Sequence, residues 1–254
     1  MRQNGNILFL ILIAVVLFAA LSYAVTQSSR GGGSVDSEQE QISIGGILND
    51  FSLVKVAVDR LLLIDGCEKA DVRYWHASRL NAADGDYYGD GSVPDCEVFD
   101  PNGGGAAYVV PPQAAQDQGS SEYMMLNLLI AGVGEHDCCA QDPATLQQLG
   151  TEIVMAVHVT RSMCLEVNER EGIANTGGNP PAYTVANTDE VKFPADTSHT
   201  FPHYNTGAFT YGGVSLGSDA TRGPELYGHR LGCAEFTDSG GDPYYLLYNV
   251  LLDR

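Results

Sequence analysis

The sequence predicts an α+β protein. An N-terminal transmembrane helix and a second, amphipathic helix precede a mainly antiparallel sheet with one inserted helix. Three observations carry this. Residues 7–25 form an apolar run with no charge. Residues 38–64 place apolar side chains at helical spacing. The rest alternates between short apolar segments and turn-rich stretches, the order of elements expected of an α+β domain.

The run ILFLILIAVVLFAALSYAV approaches the roughly 20 apolar residues that a helix needs to cross ~30 Å of hydrocarbon. Only Ser22 and Tyr23 are polar. The leader carries Arg2 and the amino terminus, and no acid precedes Asp36, which favours an orientation with the N-terminus inside. TQSSRGGGSVD, residues 26–36, follows as a flexible hinge, because glycine weakens a helix by ~1 kcal/mol per residue relative to alanine. Ser37 and Glu40 then have capping-box spacing. Ile44, Ile47, Leu48, Phe51, Val54, Val58, Leu61 and Leu62 predict a helix over 38–64 with one buried face, closed by Asp65-Gly66.

Strands are expected over 71–76, 123–130, 152–159, 209–216, 225–236 and 244–252. A hairpin is expected between 96–99 and 107–110 around PNGGG. Thr160 is placed to cap an inserted helix over 161–171 that stops at Gly172. Residues 38–254 thus form one extracytoplasmic domain, large enough for its own core.

The chain has 254 residues and a formal charge of −19, from 13 Lys+Arg against 32 Asp+Glu. Beyond residue 30 the balance is 11 basic to 32 acidic residues, because Arg2 and Arg30 belong to the apolar head, which holds no acid. At 44% hydrophobic and 18% charged residues, the chain is neither a disordered acidic tail nor a coiled-coil rod. Nucleic-acid binding is excluded by the lack of clustered Lys/Arg.

Three readings of the head stay open: an uncleaved anchor, a signal peptide cut after Ala24, and a third that rests on Gly5. A tiny basic leader, a glycine and an immediate apolar helix resemble the class III leader of type IV pilins and pseudopilins. The resemblance implies a leader 1–5, cut between Gly5 and Asn6 by a prepilin peptidase, and methylation of the new terminus. It also implies a transmembrane helix 6–25 that assembles with other pilin-like subunits. Leu8, Leu10, Ile13, Val16, Leu17 and Leu21 are the expected packing residues. Leu10 stands where pilins usually carry Glu, as in some minor subunits, and Asn6 replaces the usual Phe or Met. The body, with CEVFDPNGGGAAY, EREGI and a closing Tyr-rich strand, is similar to an uncharacterised bacterial family with the same head, which brings no known activity. The expected function is a non-enzymatic minor pilin or pseudopilin at the bacterial inner membrane, its body in the periplasm or on an extracellular fibre. A membrane-tethered binding domain for glycan, wall or calcium is the alternative.

Six cysteines in an extracytoplasmic body indicate disulfides. Cys67–Cys96 is favoured because it joins the helix end to the hairpin, and Cys164–Cys233 because it joins the inserted helix to the C-terminal strands. Cys138-Cys139 is left as a vicinal pair or reduced, with a link from one of them to Cys164 as an alternative. Zinc on His136, Cys138, Cys139 and Cys164 is disfavoured, since adjacent cysteines lack the usual spacer. Asp84, Asp86, Asp90 and Asp95 share a glycine-rich loop whose oxygen ligands would suit calcium, although the EF-hand pattern fails at Tyr88.

The other motifs read as structure. Gly213-Val214-Ser215-Leu216-Gly217 matches the hydrolase elbow, and Asp219 and His229 follow it. No helical pattern follows Ser215, so a glycine-rich strand and turn is preferred and no catalytic residue is assigned. His199 and His203 flank Pro202 and are read as loop residues, and His158 as a packed strand histidine. Trp75, Tyr87-Tyr88 and Tyr244-Tyr245 could stack on a sugar, but half-buried packing is the simpler reading.

Overall fold

The computed structural model describes residues 5–28, 32–69, 71–74, 76, 94–119, 122–133, 152–183, 215–218, 220–237 and 241–253. The chain divides into two compact units, Met1–Ile42 and Ser43–Arg254.

The first unit contains α1 (Gly5–Ser28). Among the described residues, no helix is long and apolar enough to cross a membrane, which corrects the expected transmembrane helix.

The second helix, α2, runs over Gly32–Leu63. It therefore starts before the capping box expected at Ser37, and Gly32 and Gly33 lie inside it rather than in a hinge. Two glycines cost helix propensity, but one long helix keeps every interior amide hydrogen-bonded. The helix ends as expected. Gly66 takes a left-handed φ of +75°, and the Cys67 amide donates to the Leu61 carbonyl at 3.0 Å, so the chain folds back and satisfies one of the free carbonyls of the last turn.

The body is an α+β mix around a six-stranded sheet. Its strands are β1 (Met124–Ile130), β2 (Glu152–Val159), β3 (Ala182–Tyr183), β4 (Ser215–Leu216), β5 (Leu231–Thr237) and β6 (Pro243–Leu252), in the order β3-β5-β6-β2-β1-β4. The four long strands pair antiparallel, whereas the two-residue edge strands pair parallel to β5 and β1. The sheet is thus mixed, because β3 and β4 enter through long connections, and these permit parallel pairing where a hairpin does not.

Every residue of β2 is buried, since both sheet faces are covered. On one face Ile153, Met155 and Val157 pack with Ile44, Ile47, Phe51, Val54 and Val58 of α2. Met163, Cys164 and Val167 of helix α4 (Arg161–Arg170) join the same core. On the other face Val154 and Ala156 meet Tyr248, Ile173, Leu216 and Leu226. The Thr160 hydroxyl accepts the Met163 amide at 3.2 Å and starts α4, and Gly172, at φ +73°, follows its end. Tyr123 donates to Asp50 at 2.7 Å and lays its ring 5.8 Å from that of Phe51, fixing α2 to the start of β1.

Other expectations change. Among the described residues of the segment 71–76 there is no strand; Arg73 makes an isolated bridge to Glu97. The expected hairpin is replaced by a 3-10 turn at Pro94–Cys96 and tight turns around residue 100. The Ala106 amide still reaches the Val98 carbonyl at 3.0 Å, but Gly104 already donates to Glu97, so the chain closes too soon for a ladder. The strand expected over 225–236 begins only at Leu231, because Pro224 opens a 3-10 turn over Pro224–Leu226. A short helix α3 (Gln113–Gln116), which the sequence reading missed, follows Pro111-Pro112. Proline at a helix N-terminus was the available signal. Of the strand expected over 209–216, only Ser215–Leu216 lies within the described residues.

Among the described residues two disulfides are present, Cys67–Cys96 and Cys164–Cys233, the two pairings favoured from the sequence. Cys138 and Cys139 lie outside the described residues.

Candidate functional site

Two apolar faces stand out. On α1, every described side chain from Ile11 to Ala20 is exposed, on all sides of the helix. Ile13, Val16 and Leu17 of the expected packing set belong to this surface. Leu8, Leu10 and Leu21 lie in α1, but their side chains are outside the description, as is that of Asn6. Gly5 is the first residue of the helix. A helix that is apolar all round reaches a low free energy only when apolar partners enclose it.

On α2 the buried stripe has a partly apolar counterpart. Leu53, Val56 and Leu63, at 51%, 67% and 83% exposure, share the outward face with Gly45, Gly46 and Asn49. The charges beside them are paired within the helix region, Lys55 with Asp59 and Arg60 with Asp65.

Asp84, Asp86 and Asp90 lie outside the described residues, and Asp95 is exposed in the Pro94–Cys96 turn. Among the described residues, no group of three His, Cys, Asp or Glu could hold a metal ion. His136, His199, His203, Trp75, Tyr87 and Tyr88 also lie outside them.

The G-x-S-x-G segment has a structural explanation. Ser215 and Leu216 form β4 alongside Leu129 and Ile130. Gly217 then turns at φ +78°, where a Cβ would stand 2.7 Å from the Tyr227 amide nitrogen. Glycine is needed there both for its backbone angle and for the close approach. A turn, not a helix, follows. The His229 carbonyl accepts the Tyr248 hydroxyl at 3.1 Å.

The buried polar side chains complete the sheet. Asn168, fully buried on α4, accepts the Cys233 amide at 2.9 Å and donates to the Cys233 carbonyl at 3.0 Å. The Glu152 carboxylate accepts the Ile130 amide at 2.9 Å. Burial raises Glu152 to about 7, with the nearby Asp253 carboxylate adding to the effect and Arg230 opposing it. His158 is buried edge-on to Tyr244 at 5.5 Å, and burial holds its pKa below the ordinary imidazole value. Tyr244 in turn stacks on Phe236 at 5.6 Å. Aromatic packing accounts for these residues.

These two groups give opposite pH dependences. Folded Glu152 holds its proton more tightly than the unfolded chain does. Its contribution is fully present below pH 4.5 and is lost as pH rises to about 7, on the order of 2–3 kcal/mol. His158 is neutral in the fold, so its contribution is lost as pH falls below 6.5. In urea titrations at several pH values, Glu152→Gln should remove the decline between pH 4.5 and 7 and expose the His158 effect. An unchanged profile in that variant would refute the assignment to Glu152.

No protein-family model, curated protein or solved structure matches this chain.

Proposed function

We propose that the chain is a non-enzymatic, pilin-like structural subunit that assembles through α1. The exposed apolar surface of residues 11–20 carries the reading. Burying apolar area stabilises by roughly 25 cal/mol per Å², and α1 side chains packed among those of other copies or related subunits would bury it. Electrostatics favours the same contact. The chain beyond residue 30 is strongly acidic and repels its like, whereas α1 carries no charged side chain. Two disulfides support a body that works in an oxidising, extracytoplasmic compartment.

The test is crosslinking in intact cells. The parent chain should give a ladder of homo- or hetero-oligomers. Val16→Glu with Leu17→Lys should collapse the ladder to monomer while both disulfides still form. A ladder of the same length in the variant would remove α1 as the assembly surface. A monomer in the parent chain would favour a binding domain without assembly.

A further inference from the structure

The turn that follows Phe99 is closed by Asp100. Its side-chain Oδ1 accepts the Asn102 backbone amide at 2.8 Å and the Asn102 Nδ2 at 3.1 Å. Its carbonyl accepts the Gly103 amide at 3.0 Å and the Gly105 amide at 2.9 Å. Asn102 is exposed, whereas Gly103 and Gly104 are buried. We propose that Asn102 is a latent site of spontaneous deamidation, held closed by Asp100 and released when this turn opens.

The chemistry needs only water. In an Asn-Gly pair the glycine amide nitrogen attacks Cγ of the asparagine. An N–Cγ bond forms, the Cγ–Nδ2 bond breaks, and Nδ2 leaves as ammonia with the amide proton. Water then opens the succinimide at either carbonyl, giving aspartate or isoaspartate. Asparagine is among the thermolabile residues, and a glycine after it has no side chain to hinder ring closure. In the closed turn both reacting groups are engaged. The Gly103 amide donates to the Asp100 carbonyl and is shielded from any base in solution. The carboxamide that must lose ammonia is turned back onto Asp100 Oδ1. An aspartate that takes the backbone amide two residues on fixes the turn around it. Asp100 is therefore a positioning residue, which restrains the reaction without taking part in it.

The product does not fit the turn. A carboxylate at position 102 has no N–H to donate, and it would face the Asp100 oxygen that now accepts Nδ2. Isoaspartate also lengthens the main chain by a methylene, and the segment has no slack to absorb it. A Cβ on Gly104 would stand 2.6 Å from the Val98 carbonyl oxygen and 3.1 Å from Cβ of Ala57 on α2. The Gly104 amide also donates to the Glu97 carbonyl at 2.9 Å. Deamidation therefore loosens this segment from α2. It does not reverse, because the ammonia is lost, and it adds a negative charge to a chain already at −19.

The test ages the full, oxidised chain at neutral pH and follows the peptide carrying Asn102 by mass spectrometry. Methyl transfer by an isoaspartyl methyltransferase scores the isoaspartate. The parent unfolded in guanidinium chloride, disulfides intact, should deamidate at Asn102 at least about tenfold faster than the native parent, because the native chain reacts only through local opening. Asp100→Ala should speed the folded chain by about tenfold, the rise in open population that the loss of two hydrogen bonds permits, with both disulfides kept. Asp100→Asn retains an acceptor oxygen and should stay within about twofold of the parent; the new asparagine precedes Pro101, whose nitrogen carries no proton, so it cannot cyclise in the same way. No modification of Asn102 in the unfolded chain would overturn the proposal. So would equal rates in the native and unfolded parent, an Asp100→Ala chain no faster than the parent, or an Asp100→Asn chain as fast as Asp100→Ala.

Discussion

Replacing Cys164 and Cys233 together by alanine is expected to lower stability by about 4 kcal/mol, measured by urea unfolding of the otherwise oxidised protein. The bridge spans 69 residues, and a cross-link over a loop of that length removes roughly 4 kcal/mol of denatured-state entropy in the chain-entropy model. Both cysteines are fully buried between α4 and β5, so the paired substitution also thins the packing there. The Cys67–Cys96 bridge spans only 29 residues, and both its cysteines are partly exposed. A dithiol reductant under native conditions should open it first, because exchange requires access to a sulfur. A loss below about 1 kcal/mol for the Cys164/Cys233 pair, or its earlier reduction, would contradict this account.

Asn168→Leu should cost a comparable amount, about 3–4 kcal/mol. In the described fold β3 pairs β5 only at Glu235 and Phe236. At Cys233 the side-chain amide of Asn168 takes the place of a neighbouring strand, accepting from one backbone group and donating to the other. Leucine has similar bulk but no polar atoms, so it strands a buried amide and a buried carbonyl, each at about 1–3 kcal/mol. Asn168→Asp should not rescue the fold. Its carboxylate would face the Cys233 carbonyl and the Asn175 side-chain oxygen, both of which now accept from the Asn168 amide. Equal stability of the leucine variant and the parent, by urea midpoint and slope, would show that β5 is satisfied in some other way.

Glu152 follows the same logic on β1, where its carboxylate takes the Ile130 amide just beyond the last β1–β2 pair. Neither residue was legible as a site in the sequence. An Asn amid an amphipathic helix and a Glu opening a strand both read as surface residues until the sheet is assembled. The signal available for Asn168 was its spacing from Cys164, one turn away on the face that buries Met163 and Val167.

Local chemistry accounts for what the sequence by itself determined. β2, β6, α4 with its Thr160 cap, and the Gly66 end of α2 follow from a run rich in β-branched residues, a run of Tyr and Leu, a capping hydroxyl and a glycine at positive φ. Each depends on residues within a few positions of one another. Tertiary structure decided the rest. Whether α2 breaks at its glycines, whether 71–76 and 96–110 become strands, and which direction the edge strands run depend on partners distant in the chain. Hydrogen-bond donors near the sheet margins are satisfied by whatever group the completed fold brings within 3 Å, and in this protein two of those groups are the side chains of Asn168 and Glu152.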